Sequence, residues 1–320
     1  MKWKKQGRII QMEQFKSVPW MESHLQLPVP LKLKNGNYRV YFSSRFKGKS
    51  LPTFVDLDKD TLKIIYRNEE PLLSIGNPGF FDDSGVMFSS VVEYDDKIYM
   101  YYIGWNLSVS VSYHNSIGLA ISEDGGLSFK RYSEGPILDR SLTDPIFVSS
   151  PYVLKQKGNW ILYYLSCKAW IQGEKKLEPV YDIRYAESAD GICWLVPKNN
   201  VCITGTEEAI SQPYVIRESN IFRMWYSTRG ILDYRKNKDN SYRIGYAESL
   251  DGIKWIRKDD EAGITVSDDG WDSEMIAYAG VLKEKDRYIM FYNGNGFGES
   301  GIGYATTEES MTDRHIAAKE

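Results

Sequence analysis

Acidic residues stand at five places along this 320-residue chain, each shortly ahead of an apolar run. They are Glu22, the pair Asp82 and Asp83, Asp144, the pair Glu207 and Glu208, and the pair Asp272 and Glu274. Carboxyls brought together from such positions can divide proton donation and proton acceptance between them, the requirement of general acid–base chemistry. A second set ends later apolar runs: Arg45, Trp105, Lys168, Trp170, Arg229 and Asn293. An arginine grips a carboxylate or phosphate through two parallel hydrogen bonds, and a tryptophan offers a broad apolar face with one polar edge. His24 lies near the first of these acids. No spacing of His, Cys, Asp or Glu argues for a metal site.

These residues are spaced by a repeat. Aromatic blocks recur as YRVYFSSR from Tyr38, YMYYIGW from Tyr99, WILYYLSC from Trp160, FRMWYSTR from Phe222 and YIMFYNGN from Tyr288, with starts 61, 61, 62 and 66 residues apart. A second block follows, clearest in DIRYAESADGICW from Asp182 and RIGYAESLDGIKW from Arg243; residues 52–64 read as a worn copy. The residue types suit a half-buried pleated surface, and helical spacing is absent. Asp124-Gly125, Asp190-Gly191 and Asp251-Gly252 supply tight hairpins. With one more apolar run before each aromatic block, every period holds four strands in meander order.

Repetition at this period predicts an all-β fold, a five-bladed β-propeller of four-stranded antiparallel blades. It makes 1–320 a single domain with blades at about 19–70, 82–138, 144–203, 208–265 and 272–308. The last period lacks a clear fourth strand, which the N-terminal residues 3–10 are expected to supply. The first strand of each blade lines the channel, so residues before it and residues after the second strand share one face. Long segments follow the second strands at 106–115, 169–181 and 230–241, a common place for substrate selection.

The formal charge is −3 and the pI about 5.8, so nothing points to a nucleic-acid or anionic membrane surface. No apolar run reaches the length of a membrane span, and the N-terminus lacks a signal-peptide core. Cys167, Cys193 and Cys202 are expected to be buried and reduced. Together these features favour a soluble cytoplasmic protein of unassigned oligomeric state.

The motif IGYAESLDGIKW after FRMWYSTR resembles the outer hairpin of the five-bladed propeller superfamily of arabinanases, β-xylosidases, invertases, levansucrases and mannoside phosphorylases. The resemblance covers roughly residues 19–308 and implies a carbohydrate substrate. The invertase Asn-Asp-Pro-Asn-Gly signature is absent, and the arabinanase Glu-Gly-Pro reads Ser149-Ser150-Pro151 here, so no subfamily is assigned.

Glycoside cleavage needs an acid for the leaving oxygen and a base or nucleophile across the sugar; carboxyls about 5–5.5 Å apart suit retention and about 6.5–9.5 Å inversion. The expected roles are Asp83 as base, Glu274 as acid and Asp144 as tuner, with an exposed loop position as the alternative for the first two. Glu22, His24, Arg45, Trp105, Lys168, Trp170, Arg229 and Asn293 are expected to bind substrate. The alternatives are an inter-blade salt bridge for either arginine and loop packing for the tryptophans. Glu123, Glu187 and Glu248 repeat with the hairpins and are read as structural. The chemistry implied is hydrolysis or transfer without a cofactor; the alternatives are phosphorolysis, with phosphate as co-substrate bound by Arg45, Arg229 and Lys168, and a glycan-binding or assembly role without catalysis.

Overall fold

The computed structural model describes residues 1–285 and 287–307. Its strands are β1 (Lys4–Ile10), β2 (Ser23–Lys32), β3 (Tyr38–Phe46), β4 (Lys49–Leu57), β5 (Ile64–Arg67), β6 (Gly85–Tyr94), β7 (Lys97–Leu107), β8 (Tyr113–Ser122), β9 (Lys130–Arg131) and β10 (Val148–Gln156). They continue as β11 (Asn159–Gln172), β12 (Leu177–Ser188), β13 (Val201–Ile203), β14 (Glu208–Glu218), β15 (Ile221–Gly230), β16 (Arg243–Ser249), β17 (Ile256–Arg257), β18 (Ala277–Lys283), β19 (Tyr288–Asn293) and β20 (Ile302–Thr306). Three four-stranded antiparallel sheets run β10 to β13, β14 to β17, and β18-β19-β20-β1. An eight-stranded sheet divides into the antiparallel halves β2 to β5 and β6 to β9, which meet at one parallel bridge between Ser50 and Gly85. The chain is nearly all-β, in an arrangement consistent with a propeller. The expected end of the last unit, Glu308, lies outside the described residues.

The repeated hairpin has a repeated cause. Asp190 and Asp251 each accept backbone N–H bonds from the residues two and three further on, while Ser188 and Ser249 accept from Gly191 and Gly252. Those glycines sit at φ 76°, where a side chain is disfavoured. Each such hairpin also accepts a tyrosine from the preceding sheet or half-sheet: Tyr41 donates to the Gly126 carbonyl, Tyr101 to Gly191 and Tyr163 to Gly252. One sequence pattern therefore both folds a hairpin and fastens it to its neighbour. Glu123 and Glu248 pair with Lys97 and Arg223, and Glu187 accepts from Asn159, as structural positions should.

The apolar faces pack sheet against sheet. Val40, Phe42 and Val55 share one cluster with Ile289, Phe291 and Ile302, joining the first strands to the last. Another cluster places Trp225 and Tyr246 against Met290, Tyr292 and Trp3. At the N-terminus, β1 runs antiparallel to β20 from Lys4 opposite Thr306 to Ile10 opposite Ile302. The segment 169–181 differs from the expected loop: β11 and β12 continue as a hairpin, with Trp170 opposite Pro179 and Ile171 opposite Glu178, because its residues suit a strand. Cys167 and Cys202 are buried free thiols, but Cys193, in the turn after Asp190-Gly191, is exposed. No helix among the described residues is long and apolar enough to cross a membrane.

Candidate functional site

A cavity of about 570 Å³ opens where the first strands converge, and every sheet or half-sheet contributes to its wall. Smaller clefts lie near Gln14 and Tyr66, and between Glu174 and Lys236. The cavity wall is built from bulges. The pairing register shifts in β2, β10, β14 and β18 at Leu27, Ser150, Gln212 and Tyr278, all with positive φ between 49° and 59°. Non-glycine residues there cost on the order of 1 kcal/mol each, and bulges redirect side chains. All four line the cavity. Among the described residues, Ser211 Oγ and Gln212 Oε1 in this wall have no hydrogen-bond partner, although both residues are only 4% exposed.

The structure brings His24, Arg45 and Trp105 to the cavity. Trp105 lies across Gly85, where a Cβ would fall 2.0 Å from the indole nitrogen, so only glycine leaves room for it. The remaining sequence-predicted residues lie outside this wall. Asp83 is half-buried and accepts from the Gly79 N–H and the Ser84 hydroxyl, bracing its own loop. Glu274 is exposed. Asp144 is fully buried, accepts from Tyr164 Oη at 3.1 Å and lies 3.3 Å from Arg184. Asp82 with Tyr102 and Asp272 with Tyr292 repeat this contact at the same separation of 20 residues. Asp144 thus holds an anchor position that recurs around the fold.

Lys168 turns to Asp182, Thr204 and the Gly205 carbonyl. Trp170 packs on Tyr113 and Phe147 behind the wall. Glu22 accepts from the Lys47 N–H at the β3–β4 turn. Asn293 is fully buried, accepts from the Leu27 N–H and donates to the Leu25 and Gly301 carbonyls, holding the β2 bulge. Arg229 is enclosed by tyrosines, 3.7 Å from the Tyr234 ring centre, rather than ion-paired between sheets. Tyr113, Tyr181, Tyr234, Arg235, Tyr242 and Tyr278 line the cavity without having been singled out by sequence. One signal was present: the long 230–241 segment, which carries Tyr234 and Arg235.

The cavity wall is cationic. Arg45 and Arg235 line it, and no Asp or Glu does among the described residues. Arg235 reaches Glu178 at 3.5 Å, and that carboxylate also accepts from Tyr234 Oη. Partial desolvation at the cavity wall, and less strongly the Arg235 charge, lower the pKa of Arg45, with Tyr278 and Glu299 acting against them. Burial, then the Arg45 charge, brings His24 down to about 4 against an opposing effect of Glu299, so His24 is a neutral hydrogen-bonding group at neutral pH. An unfolded histidine titrates near 6.5. Between these values the unfolded chain binds more protons, so stability falls as pH drops from about 6.5 toward 4. His24→Gln should narrow the stability difference between neutral pH and pH 4 in urea denaturation; an unchanged difference would show that His24 does not contribute it.

No family model matches the chain. The uncharacterized protein Rv1502 of Mycobacterium tuberculosis is 36% identical over 313 residues, covering 96% of this chain and 100% of the relative. The chain belongs to the Rv1502 family. Among solved structures, this Rv1502-family protein shares its fold with glycoside hydrolases. One described simply as a glycoside hydrolase matches with TM-score 0.71 and 15% identity, over 96% of this chain and 92% of its own length. A thermostable family-43 glycoside hydrolase matches with TM-score 0.65 and 17% identity, over 90% of each protein. A Bombyx mori GH32 β-fructofuranosidase, in a mutant bound to sucrose, matches with TM-score 0.62 and 14% identity, over 92% of this chain and 65% of its own.

Proposed function

We propose that this protein is a carbohydrate-active five-bladed propeller that takes a negatively charged glycosyl ligand into its cavity and cleaves or transfers the glycosyl unit. The observation that carries this reading is the wall itself, in which Arg45 and Arg235 stand among aromatic rings and, among the described residues, without a lining carboxylate. The rings of Trp105 and the tyrosines suit a sugar face, and the guanidiniums suit a phosphate or carboxylate. The shared glycoside hydrolase fold supports carbohydrate as the ligand class. A phosphate on the ligand makes the phosphorolysis alternative and glycosyl transfer from a sugar phosphate two directions of one chemistry.

The lack of a carboxylate among the described residues of the wall also favours a second reading, a propeller that binds such a ligand without turning it over. Turnover of a panel of glycosides and glycosyl phosphates, with and without inorganic phosphate, separates the two. The expected result is turnover of phosphate-bearing compounds that survives Asp83→Asn and Glu274→Gln within a few-fold and is lost in Arg45→Gln. Loss in both carboxylate variants with Arg45→Gln unaffected would instead make this a glycosidase working through Asp83 and Glu274. Binding of the charged ligands with no turnover would leave the binding propeller.

A further inference from the structure

Strands β6, β7 and β8 supply Met87, Ile103, Trp105, Tyr113 and Asn115 to the cavity wall. Strand pairing sorts this patch into rows. Met87 stands opposite Ile103, and Gly85 stands opposite Trp105, which in turn stands opposite Asn115. Directly opposed residues carry their side chains on one face, so the Asn115 amide lies beside the Trp105 indole. Tyr113 shares that face two residues earlier along β8. Among the described residues, Asn115 is the one amide in a patch otherwise made of rings and aliphatic chains.

The amide is held at one end. Its Nδ2 donates to Ser149 Oγ at 3.0 Å, from β8 to β10 of the neighbouring sheet. Ser149 is 3% exposed and directly precedes the bulge at Ser150, so the sheet fixes its position. The other end is open. Among the described residues Asn115 Oδ1 has no partner, and unlike Ser211 Oγ and Gln212 Oε1 it is not sealed within the protein. A fixed acceptor beside an aromatic ring suits a sugar: the ring covers a C–H face while the acceptor takes a hydroxyl at its edge. When that hydroxyl is missing, the acceptor loses water and gains no partner, so the deoxygenated analogue is rejected.

We propose that Asn115 sets the sugar specificity of the cavity, its Oδ1 accepting one hydroxyl of a glycosyl unit stacked on Trp105. Ser149 is the positioning residue that orients the amide. The assignment rests on the reading of the cavity as a glycosyl site and adds a second requirement to it. Beyond the negative charge met by Arg45 and Arg235, the ligand carries a free hydroxyl at one particular ring position.

The test is calorimetry with the 1-phosphates of glucose, mannose and galactose, then with the monodeoxy analogues and the methyl glycoside of the tightest binder. One analogue should bind the parent chain about 10-fold more weakly than the complete sugar. That penalty should vanish in Asn115→Leu, and equally in Asn115→Ala, which cannot crowd the wall. Ser149→Ala leaves Asn115 in place and should shrink the penalty without removing it. A purely structural role would lower the melting temperature of these variants and keep the penalty intact. A penalty that survives in both Asn115 variants, or the lack of any penalised analogue in the parent, overturns the proposal. Equal binding of phosphate and methyl glycoside by the parent, with the Asn115-dependent penalty present, would overturn the charged-ligand reading and uphold Asn115. Binding of none of these compounds by the parent overturns both.

Discussion

Removing residues 1–10 should leave the chain unable to fold. Trp3 is 5% exposed and meets Trp225 and Tyr288 edge to face, at ring distances of 5.9 and 6.4 Å. Loss of a buried tryptophan costs about 3–5 kcal/mol. Lys5 lies 2.7 Å from Asp272, which is 2% exposed, and leaving a buried carboxylate unpaired costs about 3–5 kcal/mol more. Ile10 is fully buried beside Phe15 and Phe42, and β1 also covers the open edge of β20. The sum rivals the whole stability of an ordinary domain, about 5–15 kcal/mol. Circular dichroism and thermal melting of the chain from Gln11 onward check this. A cooperative transition at the parent temperature would show that β1 is an accessory strand.

The strands were legible because one pattern was written repeatedly. Ser188, Asp190 and Gly191, and again Ser249, Asp251 and Gly252, state the hairpin in local chemistry, which needs no distant partner to read. The site was less legible, since identical positions in the repeat meet different surroundings. Arg45 and Arg229 both end aromatic strands, yet Arg45 faces the cavity while Tyr181, Tyr234 and Tyr242 enclose Arg229 from other parts of the chain. The 20-residue interval from Asp144 to Tyr164 was visible in sequence and is shared by Asp82 with Tyr102 and Asp272 with Tyr292. That interval separates a repeated anchor from a residue particular to one sheet. The positive-φ bulges at Leu27, Ser150, Gln212 and Tyr278 arise from strand pairing, which residue spacing does not reveal.

Arg45→Gln should abolish the preference for a charged glycosyl ligand while leaving the fold intact. Arg45 is exposed on the cavity wall, so its truncation opens no core. A hydrogen bond to a charged group contributes about 1.5–3 kcal/mol, corresponding to roughly 10- to 150-fold in affinity. Arg235→Gln should weaken the same ligand by less, because Arg235 already shares its charge with Glu178. The two guanidiniums influence one another, so the double variant should not show a simple sum. The effect should shrink as salt is added, as screening requires.

The measurement closest to the central claim is a calorimetric titration of the parent chain and Arg45→Gln with a glycosyl phosphate and with the matching uncharged methyl glycoside. The predicted result is tighter binding of the phosphate by the parent, by about one to two orders of magnitude, and similar weak binding of both compounds by the variant. Equal binding of the two compounds by the parent, or a preference for phosphate that survives in Arg45→Gln, would contradict the account.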